Sequence, residues 1–304
     1  MGTKLLLVLR WFFYLKKMTF SIVAYDPLKK EWGVAVQSKF VAVGAIVPYA
    51  QANVGAIASQ AYANTRYGPE GLALLAKGMS ASDVIDALTE HDPNREQRQV
   101  GVVDSFGNAA AFTGQKCFEW AGHFVGENFC CQGNILANGT VLSDMARAFE
   151  KTSGDLVDRF FAALEAAQAA GGDRRGQEAA AILIVKEKGA YDGETDRYID
   201  IRVDEHPNPI QELRRVFEVY DLCLLKRDDP QDIVKLDGPV LKDVLTILVR
   251  DGFYSGEPTA TTLTPAIKEA LVQWLHTNNF EVKERADDYL YGSVYRYIKK
   301  ILRK

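Results

Sequence analysis

Thr19 stands directly after Met18 in KKMTFSIVAYD, residues 16–26, and the pair has a chemical consequence. Processing commonly removes an initiator methionine ahead of a small side chain, so a chain whose working start is Met18 begins at Thr19. An internal threonine hydroxyl has no base of its own. An amino-terminal threonine carries an α-amine with a pKa of about 7.7–8.0, placed to take the hydroxyl proton during attack on an amide or ester. A chance Met-Thr pair is the plain alternative. Two further groups carry polar chemistry. In GGDRRG, residues 171–176, Arg174 can clamp a substrate carboxylate or pair with the adjacent Asp173. Asn64, Arg66 and Tyr67, in a loop leading into a helical pattern, suit the rim of a pocket.

Other chemistries find little support. Cys117, Cys130, Cys131 and Cys223 lack the spacing of a zinc site or a redox motif. Cys130 and Cys131 sit in an apolar stretch and read as small buried thiols. His91, His123, His206 and His276 are scattered without a second ligand at helical or strand spacing, so neither a metal nor another cofactor is expected. No glycine-rich phosphate loop follows a strand. With 304 residues, 47% hydrophobic and 25% charged, the chain can bury at least one full core. A net charge of −4 gives no general attraction to nucleic acid or to an acidic membrane face.

Residues 1–17 are basic and apolar, and Arg10 splits their two apolar runs. A membrane span needs about 20 apolar residues, and no small-residue cleavage site is present. A start codon assigned too far upstream is the simplest reading, with a weak anchor or an unusual export signal as the alternative. Stable membrane insertion is not expected.

The elements that must position these residues begin with two strands, TFSIVAYD and EWGVAVQSK, joined by PLKK. Two more apolar runs, VGAIVPYA and VGAIASQAY, read as strands. Helical periodicity follows in EGLALLAKG and SASDVIDALTEHD, the latter with Ser80 and Asp83 spaced as a capping box. QVGVVDSFGNAAAFTG reads as a hairpin turning at residues 105–108, and HFVGENFCCQGNIL as another strand pair. A helical block at 140–170 stops at Gly171 and Gly172. AAAILIVKE and YIDIRVDEH are the last strands, and PIQELRRVFEVYDL a helix. Blocks of this kind suit an α+β fold of two stacked antiparallel sheets with helices outside each, a four-layer αββα sandwich.

KRDDPQD marks a linker, and the expected boundaries are 18–222 for the sandwich, 223–234 for the linker and 235–304 for a small all-α domain. In that domain Val240, Val244, Ile247 and Leu248 form an inner helix face, and Thr264 and Pro265 open a second helix. Tyr289, Tyr291, Tyr295 and Tyr297 are either a carbohydrate platform or terminal-helix packing.

Several of these stretches together, TFSIVAYDP, GVAVQSKFVAVGAIVPYAQANVGAIASQA, NTRYGPEGLALL, REQRQVGVVD, QGNILA, GGDRRGQEAAAILIV and IRVDEHPNPIQELRR, resemble the bacterial proteins of domain-of-unknown-function family 1028, whose members are similar in fold to N-terminal-nucleophile (Ntn) hydrolases. LDGPVLKDVLTILVRDGFYSGE and ALVQWLHTNNFE resemble a module predicted to bind peptidoglycan. The resemblance implies the αββα sandwich and puts Thr19 where an Ntn nucleophile stands. In such hydrolases a second-strand polar residue and a nearby lysine steady the terminal amine, which points to Ser38 and Lys39. Strand alternation sends these two to opposite faces, and Lys39 is the slightly preferred one. An oxyanion needs donors set in advance, each contributing about 3–4 kcal/mol. Gln60 and Asn134 are the side-chain candidates, with Gln132 beside Asn134 as a substrate contact.

Two functions follow. One is an amidohydrolase acting on a small amide or peptide-like substrate through Thr19. The other is a non-catalytic binding protein attached to a peptidoglycan fragment or a partner through its tail. The cytoplasm is the expected location, with export as the alternative that a glycan ligand would require. A sandwich of this kind can also pair as a symmetric homodimer.

Overall fold

The computed structural model describes residues 19–303, so the leader expectation for residues 1–17 lies outside the described residues. Its contacts divide the chain into two units, Met1–Arg214 and Arg215–Lys304.

The first unit is mixed α+β. A six-stranded antiparallel sheet runs in the order β10 (Arg197–Val203), β9 (Ala179–Val185), β2 (Glu31–Ser38), β1 (Thr19–Asp26), β8 (Phe129–Asn134), β7 (Gly122–Gly126). A four-stranded antiparallel sheet runs β3 (Pro48–Gln51), β4 (Gly55–Ala61), β5 (Arg98–Asp104), β6 (Ala109–Thr113). Side chains alternate along each strand, so every central strand has two buried faces. Val23, Tyr25, Trp32, Val34 and Val36 from the larger sheet meet Ala56, Ala58 and Val103 from the smaller one. The Trp32 indole donates to the Asp104 carbonyl at 3.1 Å, which fastens the two sheets at that end.

Helices cover the outer faces. α1 (Tyr67–Leu75) and α2 (Ala81–Glu90) lie on the smaller sheet, where Ile57, Val100 and Val102 pack on Tyr67, Val84 and Leu88. Ser80 caps α2, accepting from the Asp83 amide at 3.2 Å, as the Ser80/Asp83 spacing predicts. α3 (Val141–Lys151) contacts β7 and β8, and α4 (Leu156–Ala169) contacts β1, β2 and β9. An aromatic row, Phe129, Phe149 and Phe160, joins them with ring centroids 4.8 and 6.0 Å apart. Phe160 reaches the sheet only because residue 33 is glycine. A Cβ there would lie 2.8 Å from its ring and 2.7 Å from the Leu183 carbonyl.

One apolar run departs from expectation. VGAIVPYA reads as a strand, but Val43–Ala45 is a 3-10 turn and β3 begins only at Pro48. The turn follows Ala42 in the left-handed region at φ +53°, and Gly44 packs so closely that a Cβ would fall 2.5 Å from that of Ala181.

The second unit holds α6 (Gly238–Arg250), α7 (Pro265–Thr277) and α8 (Gly292–Leu302) around Leu241, Leu245, Leu248, Ile267, Trp274, Phe280, Val294 and Ile298. α5 (Pro209–Leu224) contains the boundary residues Arg214 and Arg215. A short antiparallel pair, β11 (Ile233–Lys235) and β12 (Tyr289–Tyr291), adds strands the helical periodicity does not announce. Lys283 is fully buried, paired with Asp228 and donating to the Leu225 carbonyl at 2.7 Å. Tyr291, Tyr295 and Tyr297 pack against the core, while Tyr289 is exposed.

Candidate active site

The layer between the two sheets changes character along its length. One end is valine, alanine and tryptophan. The other, around the start of β1, is a buried set of hydroxyls and amides: Thr19, Ser21, Ser38, Gln60, Gln99, Gln132 and Asn134. All point inward by the alternation that sends Val23 and Tyr25 into the apolar half.

Thr19 opens β1 opposite Asn134 of β8, and its hydroxyl lies 3.0 Å from that of Ser38 at the end of β2. Ser38 therefore holds the position beside the hydroxyl. Alternation turns Lys39 away. Its ammonium pairs with Glu178 and donates to the Gln177 carbonyl at 3.1 Å, and its backbone amide donates to Asp173 at 2.9 Å.

Gln99 is the hub of the amide network. Its nitrogen donates to the carbonyls of Gly122 and Gly133 and to the Thr113 hydroxyl, at 2.8–3.0 Å. Its oxygen accepts from Gln60 at 2.8 Å and from Asn134 at 2.9 Å. Gln60 also donates to the Gln132 carbonyl at 3.2 Å, and Ser21 donates to the Gln60 oxygen at 2.6 Å while accepting from Gln132 at 2.6 Å. Two acceptors are left over, the side-chain oxygens of Gln132 and Asn134, both buried without a hydrogen-bond partner. Orphaned polar atoms of this kind are uncommon in a folded core, and each calls for an explanation. Gln132 fits because residue 101 is glycine, whose Cβ would lie 2.2 Å from the Gln132 oxygen.

The backbone here is also unusual. Ala61, the last residue of β4, and Ile135, immediately after β8, have φ of +63° and +50°. A β-branched residue in the left-handed region costs roughly 1–3 kcal/mol and persists only where its surroundings hold it. The Ile135 amide donates to the Phe118 carbonyl at 2.8 Å and its carbonyl accepts from Arg174, which aims the chain leaving Asn134.

The remaining sequence candidates divide. Asp173 is buried, holding the amides of Lys39 and Arg175 at 2.9 Å each and pairing with the Arg175 guanidinium at 3.2 Å. Its arginine partner is thus Arg175, and Arg174 is exposed beside Ile135. Asn64 and Tyr67 both donate to Asp92, at 3.3 and 2.8 Å, beside the Asp92–Arg98 pair at 2.9 Å. Burial alone would raise the Asp92 carboxyl pKa, but donation from Arg98, the Asn94 amide and Tyr67 holds it well below the usual carboxylate range. Arg66 is exposed and pairs with Glu70. These three anchor the loop before α1 and do not join the Thr19 network.

Sequence reasoning passes over Gln99, Ser21 and His123. His123, exposed, lies opposite Gln132 with its ring nitrogen 2.9 Å from the Thr113 hydroxyl. A cavity of about 590 Å³ lined by Tyr25, Asp26, Asn128 and Arg159 lies at the opposite end of β1 from Thr19. Among the described residues no group of three or more His, Cys, Asp or Glu is placed to hold a metal ion, and no helix is long and apolar enough to cross a membrane.

Residues 19–213 match the model of a family described as "Family of unknown function (DUF1028)". The chain belongs to this family. A crystal structure of a family 1028 protein from Silicibacter pomeroyi is similar at 33% identity and a TM-score of 0.62, over 67% of this chain and 86% of that one. Residues 223–298 match the model described as "Putative peptidoglycan binding domain". No curated protein matches the chain. The family 1028 match begins at Thr19, the first residue of β1.

Proposed function

We propose that the family 1028 domain is an Ntn-hydrolase-like αββα sandwich acting as an amidohydrolase, with Thr19 as nucleophile once residues 1–18 are removed. The observation that carries this reading is the Thr19–Ser38 hydroxyl pair at 3.0 Å, buried at the first position of the central strand. With a free α-amine, Thr19 holds nucleophile and base on one residue. The amine takes the hydroxyl proton as the oxygen adds to the carbonyl, then passes it to the leaving amine. Ser38 fixes the hydroxyl rotamer. Gln99 holds the Asn134 and Gln60 amides in place, and the oxyanion draws on Asn134 or on the backbone after it. The substrate is a small amide or peptide-like molecule, no cofactor takes part, and the cytoplasm is the proposed location.

A second reading rests on its own observation. The side-chain nitrogens of Gln60 and Asn134 already donate inside the protein, as a binding scaffold would have them. In that case the domain is non-catalytic, and the match of its tail to the peptidoglycan family makes a cell-wall glycan the partner.

Intact mass separates the two, followed by a panel of amides, ureido acids and muropeptides given to wild type and Thr19→Ala. Hydrolysis by the Thr19-terminated chain and none by the variant supports the enzyme. Equal rates from both exclude Thr19 as the nucleophile.

A further inference from the structure

Four of the exposed large apolar side chains lie on segments next to the strand ends that carry Ser38, Gln60 and Asn134. Val41, three residues past Ser38, is 54% exposed, and Tyr62, two residues past Gln60, is 51% exposed. Phe118 and Trp120, whose carbonyls accept from the amides of Ile135 and Leu136 just after Asn134, are 54% and 39% exposed. They come from three loops, after β2, after β4 and between β6 and β7, each next to a strand end that carries Ser38, Gln60 or Asn134.

Two of the rings are braced from behind. The Trp120 indole lies against Gly122 and Gly139, at each of which a Cβ would come within 2.9 Å of it. Tyr62 has the Arg98 guanidinium 5.4 Å from its ring centre, and Asp92 holds that guanidinium. A ring fixed on one face and exposed on the other is a prepared apolar contact.

Arg174 adds a cation at this end, and on the loop between β6 and β7 Lys116 and Glu119 are exposed as well. Arg174 is exposed, its amide donates to the Ile135 carbonyl, and among the described residues its guanidinium makes no ion pair. The neighbouring charges are neutralised within the protein, Lys39 by Glu178 and Arg175 by Asp173.

We infer that the site takes N-acyl amino acids, with an aliphatic or aromatic acyl chain on the Trp120, Val41 and Tyr62 rim and the free carboxylate of the amino acid on Arg174. This rests on the Thr19 reading above for its chemistry. The Thr19 oxygen adds to the acyl carbonyl while its α-amine takes the hydroxyl proton. The C–N bond breaks as that proton passes to the departing amino group, and an ester of Thr19 remains. Water, deprotonated by the same amine, cleaves the ester and releases the carboxylic acid. The sum is one amide and one water giving one acid and one amino acid. An apolar rim selects by chain length, and an arginine fork selects a carboxylate over its uncharged carboxamide.

The test uses the full chain starting at Thr19, with N-acetyl-, N-octanoyl- and N-phenylacetyl-alanine and the carboxamide of each. We expect kcat/KM to rise at least about tenfold from acetyl to octanoyl or phenylacetyl, and to fall about tenfold or more on replacing the carboxylate by carboxamide. Trp120→Ala should flatten the first difference and Arg174→Ala the second. The Thr19→Ala chain, which cannot turn over, should bind N-octanoyl-alanine in titration calorimetry and lose that binding with Arg174→Ala added. Thr19-dependent hydrolysis indifferent to acyl length and carboxylate would overturn the substrate class and leave the nucleophile standing. Binding with these preferences but no hydrolysis by the Thr19-terminated chain would keep the substrate class and remove the nucleophile. Neither binding nor hydrolysis would overturn both.

Discussion

Ser38 meets the Thr19 hydroxyl and Lys39 does not, a choice made by strand pairing alone. Ser38→Ala removes the 3.0 Å hydroxyl contact to Thr19 and, on the proposed mechanism, should lower kcat/KM by about 10²-fold with little change in KM, read from steady-state kinetics on any amide the wild type cleaves. Asp92 offers a test of stability. Its folded-state pKa is depressed, so its contribution is present above the unfolded value of about 3.9 and is lost as pH falls below it. Asp92→Asn strands the buried Arg98 and should cost about 3–5 kcal/mol at pH 7. Chemical denaturation at pH 7 and pH 3 should show the gap between wild type and variant closing at the lower pH. The cysteines behave as the apolar stretch around them predicts. Burial pushes the Cys130 thiol up to about 12 and Cys131 well above the ordinary range. Native protein at pH 8 should leave both unalkylated by iodoacetamide while denatured protein reacts at all four, as read by intact mass.

At the scale of elements, what was legible in the chain is what period and punctuation carry. Alternation in TFSIVAYD and EWGVAVQSK places Val23 against Val34 and sends Ser38 and Lys39 to opposite faces, though not which of them faces Thr19, and the turn at residues 105–108 closes on the Asp104 amide bonded to the Asn108 carbonyl. Thr264 caps α7 with Pro265 at its first position, as their order announces. Gln99 was not legible. A glutamine opening an apolar strand has nothing local to mark it, and its five partners come from β4, β6, β7 and β8. The Asp173–Arg175 pair was hidden for the same reason, since either arginine of GGDRRG fits the sequence and only the chain path past Lys39 decides. The network also makes Gly101 critical. Gly101→Ala would press on the Gln132 oxygen at 2.2 Å and force that amide out of place. About 1–3 kcal/mol of stability should be lost, with a larger proportional loss of activity than an equally destabilising change in the Phe149 row. Equal losses of activity in the two variants would make the network merely structural.

The whole molecule holds two units with separate cores, and their stabilities should be separable. Phe160→Ala, fully buried in the first unit, should cost about 3–5 kcal/mol and Leu245→Ala, in the core of the second, about 2–5 kcal/mol. Each should lower one calorimetric transition and leave the other in place, and the double variant should show the sum of the two. On the proposed reading, function depends on how the chain starts, because the fold brings the Ser38 hydroxyl to Thr19 but only processing can supply its amine. The deciding measurement is the intact mass of protein expressed from its own gene, taken on the same preparation that is assayed for amide hydrolysis. A mature chain beginning at Thr19, active and silenced by Thr19→Ala, is the expected result. Full activity from protein that retains residues 1–18 would contradict it.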